Sequence, residues 1–431
     1  MKIEIPKTLK ELGKIFKAHN YNLYIVGGYV RNSLLGFVET DMDICGAMRF
    51  DEVQKMIAGT IFSCHVVNQN LGTLLIKSKV SEEEFEYTTF RKESYISGGQ
   101  HSPKDVVFID DIKTDCLRRD FTCNAIYYDV CQDEFKDFCG GINDVLAKRL
   151  KTVNTPEITF NDDGLRILRL VRMACELDFQ IEDETFAVAK EKISYLKDIS
   201  TERFNKEIMS ILFSDYKYDA INNPNAPARG VGILSQLGAW GYIFQELSFT
   251  YGTENINKKL NSPWAFYLSQ APSIHRVSVF TYEILKALGL EINKENTLKI
   301  LGENGLMLSK KEALLQAKLI GGIEKIKTIT SEDEMRIFIA ENSKIIARML
   351  NLAHVFGFGQ AMTSVYKIMK SDNVPLSIKD LDINGNDLKK IKNIKEEEYS
   401  KVLNNLLIDC VLIPELNIKH KLIKVLKEKY K

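Results

Sequence analysis

"YIVGGYVRNSLLGFVETDMDICG" (residues 24–46) brings three features into one short span. An apolar run ends in Gly27-Gly28, a basic amphipathic segment follows, and Asp41 and Asp43 then sit one residue apart in a second apolar run. On a strand, residues two apart point the same way, so Asp41 and Asp43 present two carboxylates together while Met42 and Ile44 face a core. Two adjacent carboxylates repel, and one takes up a proton unless a cation sits between them. Mg2+ suits that place, because it favours oxygen ligands and shares its shell with substrate phosphates. Taken alone, the pair also reads as two solvated aspartates at a strand end. Gly27-Gly28 shift the balance: closing a strand and opening a helix, they let backbone N–H groups approach a phosphate with no Cβ in the way. An anion site and a metal site on consecutive elements suit a nucleoside triphosphate with its metal. Arg31, one helical turn on, adds positive charge there.

The 431 residues allow two to four compact units. Ordinary apolar and charged fractions argue for a folded, soluble chain. A formal net charge of zero argues against a protein that coats nucleic acid nonspecifically, though not against a local basic groove. The eight cysteines contain no C-x-x-C pair, the N-terminal "MKIEIPKTLKELGKIFK" lacks a signal-peptide apolar core, and no apolar run approaches the ~20 residues of a membrane span. The expectation is a cytoplasmic protein with reduced thiols, no zinc site and no membrane association. Up to about residue 140, short segments such as "NLYIVGG", "GTLLIKS", "EFEYTTF" and "NAIYYDV" read as strands, with "RNSLLG" and "DEVQKMIAG" as short helices between them. After Gly141, apolar residues recur every three or four positions, as in "DGLRILRLVRMACELDF", and helices are expected to the end.

"GGYVRNSLLGFVETDMD" resembles the GG-x-V-R-D-x-L-L-G-x(4)-D-x-D signature of class II tRNA nucleotidyltransferases (CCA-adding enzymes) and bacterial poly(A) polymerases, with Asn32 where the pattern usually has Asp. "FEYTTFRKESY" is similar to the family's strand leading into a flexible loop, which implies Glu86 as a third carboxylate; Glu84 lies on the same face. "LRRDFTCNAIYYD" matches R-R-D-x-x-x-N-A, implying that Arg119, Asp120 and Asn124 contact ribose and triphosphate. "NDDGLRILRLVRMACELDF" is similar to the E-D-x-x-R-x-L-R-x-x-R-F motif of the neck helix, with Asp162 for Glu and Met173 for Phe. Asp163 and Arg166, three apart, would share a helix face. Asp163 accepts from the exocyclic amine that CTP and ATP carry and that UTP and GTP lack in this place, while Arg166 donates to ring acceptors. Arg169 and Arg172 continue the stripe, and "STERFNKEI" resembles the next motif, with Glu202 and Arg203 as structural support.

The fold so implied is α+β: an N-terminal DNA polymerase β-like nucleotidyltransferase head (mixed sheet with helices), then an all-α neck, body and tail, with bounds 1–140, 141–206, 207–330 and 331–431. The implied activity is template-independent addition of CCA, from CTP and ATP, to the 3′ end of tRNA. Two Mg2+ ions on Asp41 and Asp43 and release of pyrophosphate go with it, and no obligatory protein partner is evident. The loop "RKESYISGGQHSPKD" is full-length, with Gln100-His101 in place of a usual basic pair, and would reposition the base-reading residues between CTP and ATP. A poly(A) polymerase, a CC- or A-adding relative, and a catalytically silent RNA-binding scaffold are the alternatives. No His-Asp pair marks a phosphohydrolase, since His275 precedes Arg276 and His354 precedes Val355. From Lys389 to Lys431 eleven lysines face six acids, an excess suited to RNA phosphates, with Lys389, Lys390 and Lys392 at its start.

Overall fold

β1 (Tyr24–Val26), three buried residues long, is the strand around which the N-terminal sheet is built. It pairs antiparallel with β2 (Asp43–Gly46) on one side and with β8 (Ile126–Asp129) on the other. Outward from β2 lie β5 (Glu84–Thr89), β4 (Thr73–Ser78) and β3 (Phe62–Asn68), and β9 (Glu134–Asp137) follows β8. The sheet is mixed, because β2 and β5 run parallel with Asp43 opposite Glu86. A separate ribbon, β6 (Arg91–Ser94) with β7 (Asp105–Phe108), leaves the end of β5. The computed structural model describes residues 3–430 apart from 39–40, 97, 100–102, 262 and 392–393, so Gln100, His101 and Lys392 lie outside the described residues.

Burial follows the pleat. Along β5, Glu84 and Glu86 are exposed and Phe85 and Tyr87 buried, and Asp41 and Asp43 alternate with buried Met42 and Ile44. Tyr24, Val26, Cys45, Phe90, Cys116, Ala125 and Tyr127 form one core cluster behind the sheet. Two elements differ from the sequence expectation. β2 begins only at Asp43, which leaves Asp41 two residues ahead of the first ladder pair. Residues 91–94, expected to open a loop, are a strand, since β7 supplies the backbone partners that their charged composition conceals.

The first helices along the chain are α1 (Lys7–Ala18), α2 (Gly28–Leu35), α3 (Phe50–Ile57), α4 (Ile112–Leu117), α5 (Gly141–Leu146), α6 (Pro156–Asp162) and α7 (Leu165–Glu176). α6 starts with Thr155 accepting from the Ile158 N–H and Pro156 in the first turn, where a missing N–H costs nothing. The chain forms two compact units, residues 1–269 with 303–307 and residues 270–302 with 308–431. The first holds the sheet and α1–α7; the second is helical, including Arg276–Leu288, Lys310–Thr328, Gln360–Ser371 and Tyr399–Leu412. The expected bounds at 140 and 206 fall inside the first unit and the bound at 330 inside the second. Among the described residues no helix is long and apolar enough to cross a membrane.

Candidate active site

Where β1 turns into α2, Gly27 has φ 83° and ψ −138°, a conformation that side-chain-bearing residues rarely adopt. A Cβ on Gly27 would stand 3.4 Å from Asp43 Oδ2, so the missing side chain leaves the α2 N-terminus and the Asp43 carboxylate side by side. Asp41, Asp43 and Glu86 are all exposed. The β2–β5 register puts Glu86 directly beside Asp43, while Glu84 is occupied across the sheet by Lys77. Among the described residues no three His, Cys, Asp or Glu side chains gather tightly enough to hold a metal ion. The donor set at this edge is thus the aspartate pair, with Glu86 on the adjacent strand. Hard carboxylate oxygens beside a helix N-terminus suit a divalent cation that completes its shell with phosphate.

Arg31 lies one turn into α2 and is turned inward. Its Nε and Nη2 donate to Asn32 Oδ1 at 3.0 and 2.9 Å, Nη1 to Asn124 Oδ1 at 2.5 Å, and Nη2 also to the Tyr218 hydroxyl at 3.0 Å. Asn32 therefore holds Arg31 without the charge of the usual Asp, and its Nδ2 donates to Tyr218 at 3.2 Å. The Asn124 amide donates in turn to Asp120 Oδ1 at 3.2 Å, and Asp120 Oδ2 accepts from Arg169 Nε and Nη2 at 2.9 and 2.5 Å. Burial works against ionisation of Asp120, but Arg169 outweighs it and holds the carboxyl well below the usual range. Arg31, Asn124, Asp120 and Arg169 are consequently links in one chain from α2 to α7, not four separate ligands awaiting a phosphate.

Arg119, Asp120, Asp163, Arg166 and Arg169 line a cleft of about 320 Å3. Asp163 is not on a helix, contrary to the expectation of a shared helix face. It sits at the break between α6 and α7 with φ −151° and ψ 106°, and its carboxylate caps α7 by accepting from the Leu165 N–H at 2.9 Å. An aspartate that bonds its own following backbone, with Gly164 next to it, favours this break over a continuous helix. Arg166 donates to the carbonyls of Thr159 (3.3 Å) and Arg118 (2.8 Å), which fixes its guanidinium against the cleft wall. Burial pushes the Asp163 carboxyl up to about 6, with Arg166 opposing that rise. Arg172 does not line the cleft; its donors go to Glu207 at 2.7 Å and Glu176 at 2.8 Å.

The rest of the lining includes residues not anticipated as site residues: Arg91, Glu93, Tyr95 and Arg118. Arg91, Glu93 and Tyr95 recur at every second position, and that strand period was the available signal. Glu93 accepts from Arg91 Nε at 2.6 Å and from the Tyr95 hydroxyl at 2.5 Å. Beneath the cleft, fully buried Asp115 accepts from Arg118 Nε (2.8 Å), Arg119 Nη2 (3.3 Å) and the Tyr127 hydroxyl (2.7 Å). Although burial favours the neutral acid, Arg118 and Arg119 bring the Asp115 carboxyl down to about 2.

Replacing Asp115 by Asn strands two largely buried guanidinium groups, so urea unfolding at pH 7 should show a loss of about 3 kcal/mol. Because the folded-state carboxyl lies below its ordinary value, its contribution is present above pH ~4 and fades toward pH 2. The gap between parent and Asp115→Asn should narrow over that interval; a gap independent of pH would show that the Asp115 charge is not what holds Arg118 and Arg119.

Two family models match the chain: the poly A polymerase head domain over residues 23–151, and the probable RNA and SrmB-binding site of polymerase A over residues 178–223. The CCA-adding enzyme of Lactococcus lactis subsp. cremoris (strain SK11) is 33% identical over 271 residues, spanning 61% of this chain and 63% of that protein. The CCA-adding enzyme of Staphylococcus haemolyticus (strain JCSC1435) is 27% identical over 444 aligned positions that span both chains completely. The crystal structure of the Bacillus stearothermophilus CCA-adding enzyme in complex with CTP shares the fold, with a TM-score of 0.73 at 22% identity over 99% of this chain and 98% of that one. The chain is thus similar to CCA-adding enzymes and matches the poly A polymerase head over residues 23–151, and it spans a little under two thirds of the length of the Lactococcus lactis enzyme.

Proposed function

We propose that the protein is a tRNA nucleotidyltransferase that adds C, C and A from CTP and ATP to the 3′ end of tRNA without a nucleic-acid template. The observation that carries this reading is the cleft that Asp163 and Arg166 line together with Arg119, Asp120 and Arg169, a cleft tied through Asn124 and Arg31 to the α2 helix that Gly27 opens beside Asp43. A base entering that cleft meets a carboxylate acceptor and a guanidinium donor at fixed places. Cytosine and adenine both offer an amine to Asp163, and this pair takes the part of a template base. Arg119 and Arg169 give the cleft positive charge, although each also serves a structural carboxylate.

Gly27 and Gly28 would receive phosphate oxygens on the α2 N-terminus. Asp41 and Asp43 would hold Mg2+, with Glu86 beside them; the chemistry the ion supplies when bound is activation of the RNA 3′-hydroxyl and neutralisation of the departing pyrophosphate. No side chain of the chain needs to form a covalent intermediate. Residues 1–140 serve as head, 141–206 as neck, 207–330 as body and 331–431 as a tail that meets the tRNA. In the tail, exposed Lys389 and Lys390 are candidate phosphate contacts, while Lys419 and Lys429 are partly neutralised by Asp387 and Asp409. A cytoplasmic site of action is part of this reading, supported by eight cysteines that all stand as free thiols.

Purified protein incubated with tRNA lacking its terminus should incorporate labelled CTP alone, should incorporate ATP only onto tRNA ending in CC, and should reject UTP and GTP. Long runs of A on any RNA end would instead mark a poly(A) polymerase. Asp43→Ala should abolish C and A addition together, by a factor of at least about 10³, with tRNA affinity unchanged in a filter-binding assay; near-parent rates would remove the metal assignment.

Asp163 should leave a pH signature. Its carboxyl titrates near 6, so it is an anionic acceptor above that pH and acquires a proton below it. The ratio of kcat/KM for CTP over UTP should therefore fall as pH drops from 7.5 to 5.5. In Asp163→Asn the ratio should be low and flat across this range; a parent ratio that ignores pH would count against Asp163 as the base acceptor.

A further inference from the structure

We propose that Cys116 and Cys139 form a dithiol that hydrogen peroxide closes to a disulfide, a modification site whose effect on activity rests on the nucleotidyl-transfer reading above and whose chemistry does not. The two sulfurs meet from different elements. Cys116 lies buried in α4, and Cys139 lies half-buried between β9 and α5. The Cys139 thiol is hydrogen-bonded to the Cys116 sulfur, and Cys139 packs against the core cluster to which Cys116 belongs. Both also border the short turn Thr122–Asn124: Cys139 Sγ is 3.8 Å from the Thr122 carbonyl oxygen, and Cys116 Sγ is 3.8 Å from that of Ala125. Each frame is separately hydrogen-bonded. Asp111 caps α4 by accepting from the Thr114 N–H at 3.0 Å, and Asp137 accepts from the N–H groups of Cys139, Gly141 and Ile142 at 3.2, 3.0 and 2.9 Å. Thiols held together in this way react as neighbours at high effective concentration.

The contact eases the loss of one proton and resists the loss of a second. An anion on one sulfur accepts the S–H of the other, which brings the Cys116 thiol down from its ordinary value and pushes the Cys139 thiol up. Solvent reaches the pair at Cys139. There the sulfur attacks one peroxide oxygen, the O–O bond breaks, and hydroxide leaves to take up the thiol proton, giving water and a sulfenic acid. The Cys116 sulfur then attacks the Cys139 sulfur and expels a second hydroxide, which leaves as water with the remaining proton. Two thiols are oxidised by two electrons, and one peroxide is reduced to two waters. In a reducing compartment such a bond is transient and suited to sensing. Its effect reaches the cleft, because Cys116 directly follows Asp115, which holds Arg118, Arg119 and the Tyr127 hydroxyl. A disulfide draws its sulfurs to about 2 Å, closer than a hydrogen bond between them. Closure therefore pulls α4 toward the β9–α5 connection and displaces the two arginines, and a shift of about 1 Å in a positioning group is enough to cost roughly 100-fold in rate.

Protein treated with hydrogen peroxide, alkylated and digested without reductant tests this by mass spectrometry, alongside the rate of C addition to tRNA lacking its terminus. The expected result is a Cys116–Cys139 linkage, a fall of about tenfold or more in kcat/KM for CTP, and reversal of both by dithiothreitol. Cys139→Ser should form no such linkage and keep its activity under peroxide, and Cys116→Ser should do the same; if the buried Cys116→Ser fails to fold, Cys139→Ser decides alone. Cys131→Ser, which removes an exposed thiol outside the pair, should respond as the parent does. Cys116 and Cys139 that stay alkylatable after peroxide, or that link only once circular dichroism shows unfolding, would overturn the site. A linkage that leaves CTP addition within about twofold of the untreated protein would overturn its effect on activity. Untreated protein that adds neither C nor A would instead overturn the proposed function, and the linkage, read by mass alone, would still decide the dithiol.

Discussion

Asp120 is a buried carboxylate with both oxygens committed: one to the Arg169 guanidinium of α7, the other to the Phe121 N–H and the Asn124 amide beside the sheet. Removing a charge from water is costly unless a partner and further hydrogen bonds compensate it, and this site supplies both. The bond sequence from α7 through Asp120, Asn124 and Arg31 ends on α2, the helix that Gly27 opens. The β1–α2 junction and α7 are in this way held by one polar chain, while Arg166 is fixed separately by the Thr159 and Arg118 carbonyls and Asp163 by the Leu165 N–H. A second carboxylate, Asp115, does the same for Arg118 and Arg119 from below.

The arrangement divides labour between two kinds of carboxylate. Asp115 and Asp120 are buried and spent on arginines, so they set geometry. Asp41, Asp43 and Glu86 are exposed on the pleat that faces solvent, where a cation and phosphate oxygens can reach them. Asp163 stands between these classes: buried enough for its carboxyl to rise, yet lining an open cleft. In the base-acceptor role we propose for it, that environment would favour discrimination, because a base that offers no donor would displace water from the carboxylate without replacing its hydrogen bond.

Much of this was legible in the sequence, and the failures have physical causes. The alternation around Asp41 and Asp43, the Gly27-Gly28 turn and the shift to helical texture after Gly141 are local patterns, and the structure reproduces them. The loop reading of residues 91–94 and the helix-face reading of Asp163 failed for opposite reasons. β6 owes its strand to a partner ten or more residues away, and the α6–α7 break owes itself to one aspartate side chain binding the backbone two residues on. Arg31 and Arg172 show a further limit. Charge is visible in a sequence, but competitors for it are not: Tyr218 lies 187 residues from Arg31, and Glu207 lies 35 from Arg172.

The central claim is that protein side chains in this one cleft read the base. A crystal structure of the protein with tRNA lacking its terminus and a non-reactive CTP analogue tests it most directly. The account predicts the cytosine amine within hydrogen-bonding distance of an Asp163 oxygen, its ring acceptors on Arg166, and the triphosphate over Gly27-Gly28 beside Asp43. Cytosine bound away from Asp163 and Arg166, or paired with a base of the RNA, would contradict it.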